Sequence, residues 1–325
     1  MKGKAIAALA VLCVLLALAA AVLGVRCRRV RSALSESQAR GAALEVLLDE
    51  ADAQIDALQG KLDQAESDTL ALRSDAQTRS DAAETADAHA AALESELEPL
   101  RRAEAIRENS RITDHARKTK HLNSFRYLLY EPGVPSDEPL PLLLFLHGTG
   151  GCGTDISDVY ADDTLPTMLR LGWLSPDALV LIPQCPEESW EPYCEDLMEL
   201  MEAVIEEYGA DRARVSVTGF SLGGIGCFSL LTRYPDYFAA AMPLGALCDP
   251  SACAVITSTP VRILHGELDR SMDPTYVTLA NEIINANGGH STLTFIPGEK
   301  HFIQQHYLDD GGEPVEWLIS QRRSG

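Results

Sequence analysis

Residues 217–226, VTGFSLGGIG, place one serine among glycines where a β-branched run meets an apolar run. The pentapeptide from Gly219 to Gly223 is GxSxG, with Ser221 at its centre. Between a strand and a helix, this pattern predicts a nucleophile elbow, a sharp turn that holds the serine hydroxyl at the end of a strand. The alternative is an ordinary strand-to-helix turn in which the serine caps the helix.

A serine nucleophile needs a base to take its proton and an acid to orient that base. In folds with an elbow, the chain order is serine, acid, histidine. Asp269 follows the apolar run 261–266, VRILHG, and precedes Pro274, where a helix is expected to begin. It is therefore the expected acid, with Glu267 and Asp273 as competitors.

Three histidines follow the candidate acid, and His301 is the expected general base. It comes directly after the strand-like run 292–298, TLTFIPG, and so at the same edge of a parallel sheet as Ser221. His290 precedes that run and would lie at the opposite edge, whereas His306 falls in an expected helix.

The glycine-rich loop 146–155, LHGTGGCGTD, is the expected second half of an oxyanion hole. One donor should be the backbone N–H of Leu222, the residue after the nucleophile, and the other that of Thr149 or a neighbouring glycine. His147 is expected to brace this loop. The loop lacks the GK[ST] of a phosphate-binding loop, which makes that reading weak.

Continuous apolar runs alternate with amphipathic segments over the last two thirds of the chain. This alternation predicts a doubly wound, mostly parallel sheet covered by helices on both faces. The expected strands are FRYLLYEP, PLLLFLHG, ALVLIPQC, RVSVTGF, AAAMPLGA, VRILHG and TLTFIPG. The expected helices are CEDLMELMEAVIEEYG, LGGIGCFSLLTRYP and DPTYVTLANEIINANGG.

An uncharged apolar run of 21 residues, 5–25, predicts a transmembrane anchor within a first segment, 1–31. A cleavable signal peptide is the alternative, although its apolar region is normally shorter. Two lysines precede the run and four arginines follow it, a difference too small to assign the side of the membrane. The expected localisation is a single-pass membrane protein.

Residues 32–100 carry a heptad repeat that predicts an acidic coiled-coil stalk and a homo-oligomer. Only Thr69 and Arg79 interrupt the apolar seam, and Pro99 is the expected end. A single acidic helix with accidental periodicity is the alternative. Position a of the heptads holds Leu48, Ile55, Leu62, Thr69, Ala76, Ala83, Ala90 and Leu97.

Residues 101–120 have no strong pattern and are expected to be a linker to a catalytic domain at 121–325. From residue 111 onward the chain has 30 acidic and 14 basic residues, which argues against a nucleic-acid partner. The eight cysteines form no CxxC and no zinc-like spacing. Cys185/Cys194 and Cys248/Cys253 are close enough in sequence to pair in an oxidising compartment.

The order of these motifs resembles that of α/β-hydrolases, over roughly residues 121–325. The motifs are LLLFLHGTGGCGTD, LIPQCP…W, DRARVSVTGFSLGGIG, YPDYFAAAMPLGA, VRILHGELD, EKHF and VEWLISQRR. Within the superfamily, the chain is most similar to predicted esterases and peptidases near dienelactone hydrolases and the prolyl oligopeptidase clan. One departure is the loop, which reads HGTGGCG where many relatives have HGAGERG or HGGG.

The resemblance implies a serine hydrolase that cleaves ester or, less often, peptide bonds through an acyl-serine, without metal or cofactor. With the predicted anchor, which lies outside the resemblance, the expected function is that of a membrane-anchored carboxylesterase. The implied substrate is a small-molecule or peptide acyl compound, and Gln184 and Trp190 resemble substrate-pocket residues of the relatives. Core packing is the alternative for Trp190. The alternatives for function are a prolyl-oligopeptidase-type serine peptidase and a catalytically inactive scaffold that works through its coiled coil.

Overall fold

The computed structural model describes residues 81–323, together with residues 21, 54, 56–61 and 64. The chain divides into two compact units, residues 1–104 and 105–325. The predicted anchor lies outside the described residues except at residue 21, as does much of the predicted stalk. None of the helices in the described ranges combines the length and the apolar character needed to span a bilayer.

Helix α1 (Asp81–Asn109) contains the described end of the predicted stalk and runs ten residues past Pro99. The expectation that the helix ends at that proline is wrong: a proline removes one backbone donor but does not always stop a helix. The helix ends at Asn109, whose Nδ2 donates to the Ala105 carbonyl at 2.7 Å. Association of the stalk with other chains stays a prediction.

The second unit is built on one eight-stranded sheet with the order β1-β2-β4-β3-β5-β6-β7-β8. Strands β1 and β2 are antiparallel to their neighbours, and β3 to β8 are parallel. The strands are β1 (Arg111–Arg117), β2 (Phe125–Glu131), β3 (Leu142–Leu146), β4 (Leu179–Pro183), β5 (Val215–Phe220), β6 (Ala240–Leu244), β7 (Val261–Gly266) and β8 (Ser291–Ile296).

Helices lie on both faces of the sheet, as the alternation of runs predicts. They are α2 (Leu165–Arg170), α3 (Cys194–Tyr208), α4 (Leu222–Arg233), α5 (Pro274–Ala286) and α6 (Glu313–Ser320). Alternate side chains of the central strands enter two separate cores: Leu142 and Leu144 of β3 pack on one face, and Leu143 and Phe145 on the other. All four are fully buried, so β3 is apolar throughout.

The expected linker 101–120 is structured, and the sheet begins inside it. Strand β1 pairs with β2 along its whole length, from Arg111 opposite Glu131 to Arg117 opposite Phe125. The Arg111 guanidinium donates two hydrogen bonds of 2.9 Å to the Glu131 carboxylate. Strand β1 is an edge strand with mostly polar, partly exposed side chains, and for that reason it carries no apolar pattern in the sequence.

Candidate active site

Ser221 occupies a sharp turn between β5, which ends at Phe220, and α4, which begins at Leu222. Its φ of 56° and ψ of −117° lie in a region that non-glycine residues rarely adopt. Such a conformation costs on the order of 1–3 kcal/mol and persists only where the surroundings fix it. Here the Ser221 N–H donates to the Leu244 carbonyl of β6 at 2.9 Å.

The glycines of GxSxG are required because backbone passes directly beside them. A Cβ at Gly223 would lie 1.8 Å from the Leu146 carbonyl oxygen. A Cβ at Gly219 would lie 2.6 Å from the Gly223 carbonyl carbon and 2.7 Å from the same Leu146 oxygen. The end of β3 can therefore approach the turn only because both positions lack a side chain.

The structure brings Ser221, His301 and Asp269 into one hydrogen-bonded chain. The His301 Nδ1–H donates to Asp269 Oδ2 at 2.8 Å, because a carboxylate oxygen can only accept. The other ring nitrogen, Nε2, then carries the free lone pair and accepts from the Ser221 hydroxyl, also at 2.8 Å. Serine and histidine are 80 residues apart in sequence, yet they are placed as a nucleophile and its base.

The carboxylate of Asp269 is fixed on both oxygens. Oδ2 accepts from His301, and Oδ1 accepts from the backbone N–H groups of Ser271 at 2.8 Å and Met272 at 3.0 Å. Burial acts to raise the pKa of Asp269, but these hydrogen bonds outweigh it and hold the pKa below its usual value. The group is therefore an anion that keeps the imidazole in one tautomer and one orientation.

The alternative candidates for the acid and for the base have other partners or positions. Glu267 accepts a hydrogen bond from the Gly298 N–H at 2.9 Å, and Asp273 caps α5 through the Thr275 N–H. His290 is exposed at the start of β8, opposite the edge that holds Ser221. His306 lies in a 3-10 helix and its Nδ1 contacts Asp309 at 2.7 Å.

Both expected oxyanion donors begin a helix, where the first N–H groups have no acceptor within the helix. Leu222 is the first residue of α4, and Thr149 is the first residue of the 3-10 helix Thr149–Gly151. The loop that carries Thr149 lies close to the nucleophile: a Cβ built on Gly148 would lie 3.6 Å from the Ser221 Cβ. The loop after β3 thus passes beside the nucleophile.

His147 braces this loop, as expected. Its Nδ1 contacts the Gly148 carbonyl at 2.7 Å, and its Nε2 accepts from the Cys185 N–H at 2.9 Å. Since the carbonyl can only accept, Nδ1 carries the proton and the ring is neutral. Burial lowers the pKa of His147 to about 4, partly countered by the bond to Gly148.

Gln184 and Trp190, expected to contact substrate, are fully buried beneath the same loop. The Gln184 amide donates to the carbonyls of Gly151 at 3.1 Å and Asp155 at 2.6 Å. The Trp190 indole N–H donates to the His147 carbonyl at 3.1 Å. The donor groups of both side chains thus hold loop carbonyls, which gives both residues a role in bracing the loop; their contact with substrate stays a prediction.

The sequence patterns did not indicate several of the residues that pack around His301. The Phe220 ring packs on the imidazole at 5.0 Å, and the Phe302 ring packs at 5.7 Å while its side chain stays exposed. Gly266 lets the histidine loop approach β7, since a Cβ there would lie 1.8 Å from the Lys300 carbonyl oxygen. Only this glycine, in HGELD, could have indicated the contact in advance.

The Asp269 carboxylate has a second histidine beside it, His265 of β7. The His265 Nε2 lies 3.6 Å from Asp269 Oδ2 and donates to the Met272 carbonyl at 3.0 Å. Burial lowers the pKa of His265 and so favours its neutral form. In the described part of the chain, no group of three or more His, Cys, Asp or Glu side chains is arranged to hold a metal ion.

The known proteins that this chain resembles include esterases and peptidases. The model of the prolyl oligopeptidase family matches residues 191–260, which contain Ser221 but end before the acid and the base. A solved thermostable esterase is 26% identical, with a TM-score of 0.55, over 67% of this chain and 64% of that chain. The sheet order, the elbow and this likeness decide the fold. The chain has the α/β-hydrolase fold.

Two other solved structures share this fold. A Klebsiella pneumoniae protein described as a dienelactone hydrolase is 15% identical over 65% of this chain and 99% of that chain, with a TM-score of 0.53. An acylaminoacyl peptidase is 12% identical over 67% of this chain and 42% of that chain, with a TM-score of 0.50. No curated protein sequence matches.

The chain therefore has the fold of an α/β-hydrolase group near dienelactone hydrolases and prolyl oligopeptidases. It spans 64% of the esterase and less than half of the peptidase. The esterase and the peptidase act on different bonds, so the likeness alone does not choose between them.

Proposed function

We propose that the hydrolase is a carboxylesterase that works through an acyl-serine. His301 Nε2 takes the Ser221 hydroxyl proton while the oxygen attacks the ester carbonyl. The imidazolium then gives that proton to the leaving alcohol. A water molecule, activated by the same nitrogen, attacks the acyl-serine and releases the acid. Asp269 stabilises the imidazolium and takes no proton itself.

The oxyanion formed in each attack is the charge that the site must stabilise. The Leu222 and Thr149 N–H groups are the proposed donors, aided by the N-terminus of α4 behind Ser221. Loss of one such donor typically lowers the rate by about 10²–10³. Because both donors are backbone groups, their position depends on the buried side chains that brace the loop.

The observation that carries this proposal is the pair of 2.8 Å contacts that join the Ser221 hydroxyl, the His301 imidazole and the Asp269 carboxylate. A serine that merely caps a helix would bond a backbone N–H of the first turn. Ser221 makes no such cap bond, and its hydroxyl contacts an imidazole instead.

Ser221→Ala tests the proposal directly. We expect hydrolysis of p-nitrophenyl acetate to fall to background, because no other group can form the acyl intermediate. Ser229→Ala, on the same helix, removes a hydroxyl that bonds the Ile225 carbonyl and serves as the control. Undiminished activity in Ser221→Ala would contradict the assignment.

A serine peptidase is the second candidate, because the matched family model is that of prolyl oligopeptidases. Amide hydrolysis uses the same three residues, with His301 protonating a leaving amine. A panel of acyl esters and blocked short peptides with matched acyl groups separates the two activities through kcat/KM. A fluorophosphonate probe tests the third possibility, an inactive scaffold, because only an activated serine is labelled.

We further propose that residues 5–25 anchor the hydrolase in a membrane and that residues 32–100 join copies of it. The support is the length of the uncharged run and the heptad repeat. Fractionation of cells that express the full-length chain tests the anchor: an integral membrane protein resists alkaline extraction, and release into the supernatant would contradict it.

A further inference from the structure

Two cysteines lie on adjoining segments where residues 146–155, called here the oxyanion loop, pass the end of β4. Cys152 directly follows the 3-10 helix Thr149–Gly151 and is half-buried, whereas Cys185 is fully buried two residues after β4. The Gly153 N–H donates to the Cys185 carbonyl at 2.9 Å, so the two segments lie side by side. Both side chains are free thiols, and each one shifts the pKa of the other; the Cys185 Sγ also donates to the Ser189 carbonyl at 3.2 Å.

The spacing of these segments suits a disulfide. Bridged cysteines usually have Cα atoms 4.4–6.8 Å apart and side chains that face each other. A 2.9 Å bond between the residue after Cys152 and the carbonyl of Cys185 keeps their Cα atoms within about 8 Å, and closer where the arrangement is bent, a range that includes the disulfide distance. Each thiol shifts the pKa of the other, as expected for two side chains on adjoining segments that lie close together. Proximity in sequence had suggested Cys194 as the partner of Cys185, but Cys185 is not among the groups that shift the pKa of Cys194.

The two thiols differ in reactivity. The hydrogen bond from Cys185 lowers the pKa of Cys152, although burial opposes it. The same contact and burial raise the pKa of Cys185. Since the thiolate is the nucleophile in disulfide exchange, the half-buried Cys152 reacts first and the buried Cys185 second.

We propose that Cys152 and Cys185 are a disulfide-forming pair that covalently ties the oxyanion loop to the end of β4. With a small-molecule disulfide such as oxidised glutathione, the Cys152 thiolate attacks one sulfur and releases one glutathione thiolate. Cys185 then loses its proton to solvent and attacks the Cys152 sulfur, which releases the second glutathione. Two protein thiols lose two electrons in total, and one oxidised glutathione becomes two reduced molecules.

Formation of the disulfide prevents glutathione from remaining attached to Cys152 beside the oxyanion loop. Cys152 lies three residues after Thr149, so a glutathione left on it would crowd the oxyanion loop. The Cys185 backbone already holds His147 and Gly153, so a disulfide joins segments that are fixed in place. Oxidised wild-type protein should therefore keep its loop geometry, whereas a protein without Cys185 should retain the adduct.

The chemical test uses the full-length chain, reduced and then exposed to oxidised glutathione. After blocking of free thiols and digestion, mass spectrometry should find a peptide pair joined through Cys152 and Cys185. Cys227, fully buried in α4, should be free and is the internal reference. Free Cys185, or a lasting glutathione on Cys152 in the wild type, would overturn the proposal. This readout does not depend on catalysis, so it stands apart from the proposed esterase activity.

The functional test compares Cys185→Ser with Cys248→Ser, which removes a thiol from the other interacting pair, Cys248 and Cys253. After oxidised glutathione, Cys185→Ser should carry a stable adduct on Cys152 and lose at least about tenfold of its own untreated activity, with recovery in dithiothreitol. Wild type and Cys248→Ser should lose less than twofold. An adduct without loss of activity would overturn the protective role. If Cys185→Ser does not fold, the wild-type mapping still decides whether the bond forms.

Discussion

Asp269 shows how single residues set the chemistry of the site. One of its oxygens holds His301 and the other accepts two backbone N–H groups, so neither can rotate away. Glu267, two residues earlier, carries the same charge but bonds the Gly298 N–H. The difference between them is made by the turn after β7 and not by the type of side chain.

Replacing Asp269 by asparagine should lower kcat for the ester by about 10⁴, with a smaller effect on KM. An amide N–H can donate to Nδ1, which would shift the ring proton to Nε2 and leave no lone pair for Ser221. The loss should be smaller than that in Ser221→Ala, because the acid orients the base and forms no bond to substrate. Glu267→Gln is the matched control and should stay within a few-fold of wild type; equal losses in both variants would contradict the assignment.

Gly223→Ala should destabilise the elbow strongly. The added methyl would lie 1.8 Å from the Leu146 carbonyl oxygen, and because that atom is backbone it cannot move aside cheaply. We expect the variant to lose activity and at least about 3 kcal/mol of unfolding free energy, measured by urea denaturation. Ser229→Ala, on the same helix, should change stability by about 1 kcal/mol or less. A stable, active Gly223→Ala would show that β3 and the elbow are not in contact.

At the scale of elements, the oxyanion loop depends on a buried neutral histidine. His147 bonds the Gly148 carbonyl and the Cys185 N–H, and charging it would break the second bond. Its folded pKa of about 4 lies below the ordinary value near 6.5. Between these values the unfolded chain binds a proton that the folded chain does not, so stability falls as pH falls from about 6.5 towards 4.

Lowering the pH from 7 to 5 should therefore remove about 2 kcal/mol of unfolding free energy through His147 alone. His147→Asn keeps a donor near Gly148 but cannot be protonated, so its stability should fall by about 2 kcal/mol less over the same interval. Urea unfolding at the two pH values measures both changes. Parallel losses in wild type and variant would show that His147 is not the titrating group.

At the scale of the whole molecule, the prediction concerns the segment before the sheet. If the heptads of residues 32–100 associate, replacing Leu48, Ile55 and Leu62 by serine should convert an oligomer to a monomer. Light scattering of the full-length chain measures the mass, and ester hydrolysis per chain should stay unchanged because the substitutions lie outside the hydrolase domain. A wild-type monomer would exclude the coiled coil.

The catalytic fold was largely predictable because its signals are local. Seven of the eight strands of the sheet carry the predicted runs, which in β2 to β7 follow from burial, and the elbow carries glycines that backbone contact requires. Strand β1 was missed because it is an edge strand, whose partly exposed side chains need not be apolar. The helix past Pro99 was missed because one lost hydrogen bond is a weak stop signal.

By itself, the sequence determined the order of the strands along the chain, the elbow at Ser221 and the candidates for acid and base. Only the tertiary structure decided which candidates meet, that Gln184 and Trp190 lie under the loop, and that the segments of Cys152 and Cys185 lie side by side. The reason is physical: runs and turns depend on neighbours along the chain, whereas these contacts join residues tens of positions apart. Such contacts depend on the packing of the whole sheet, which no local pattern records.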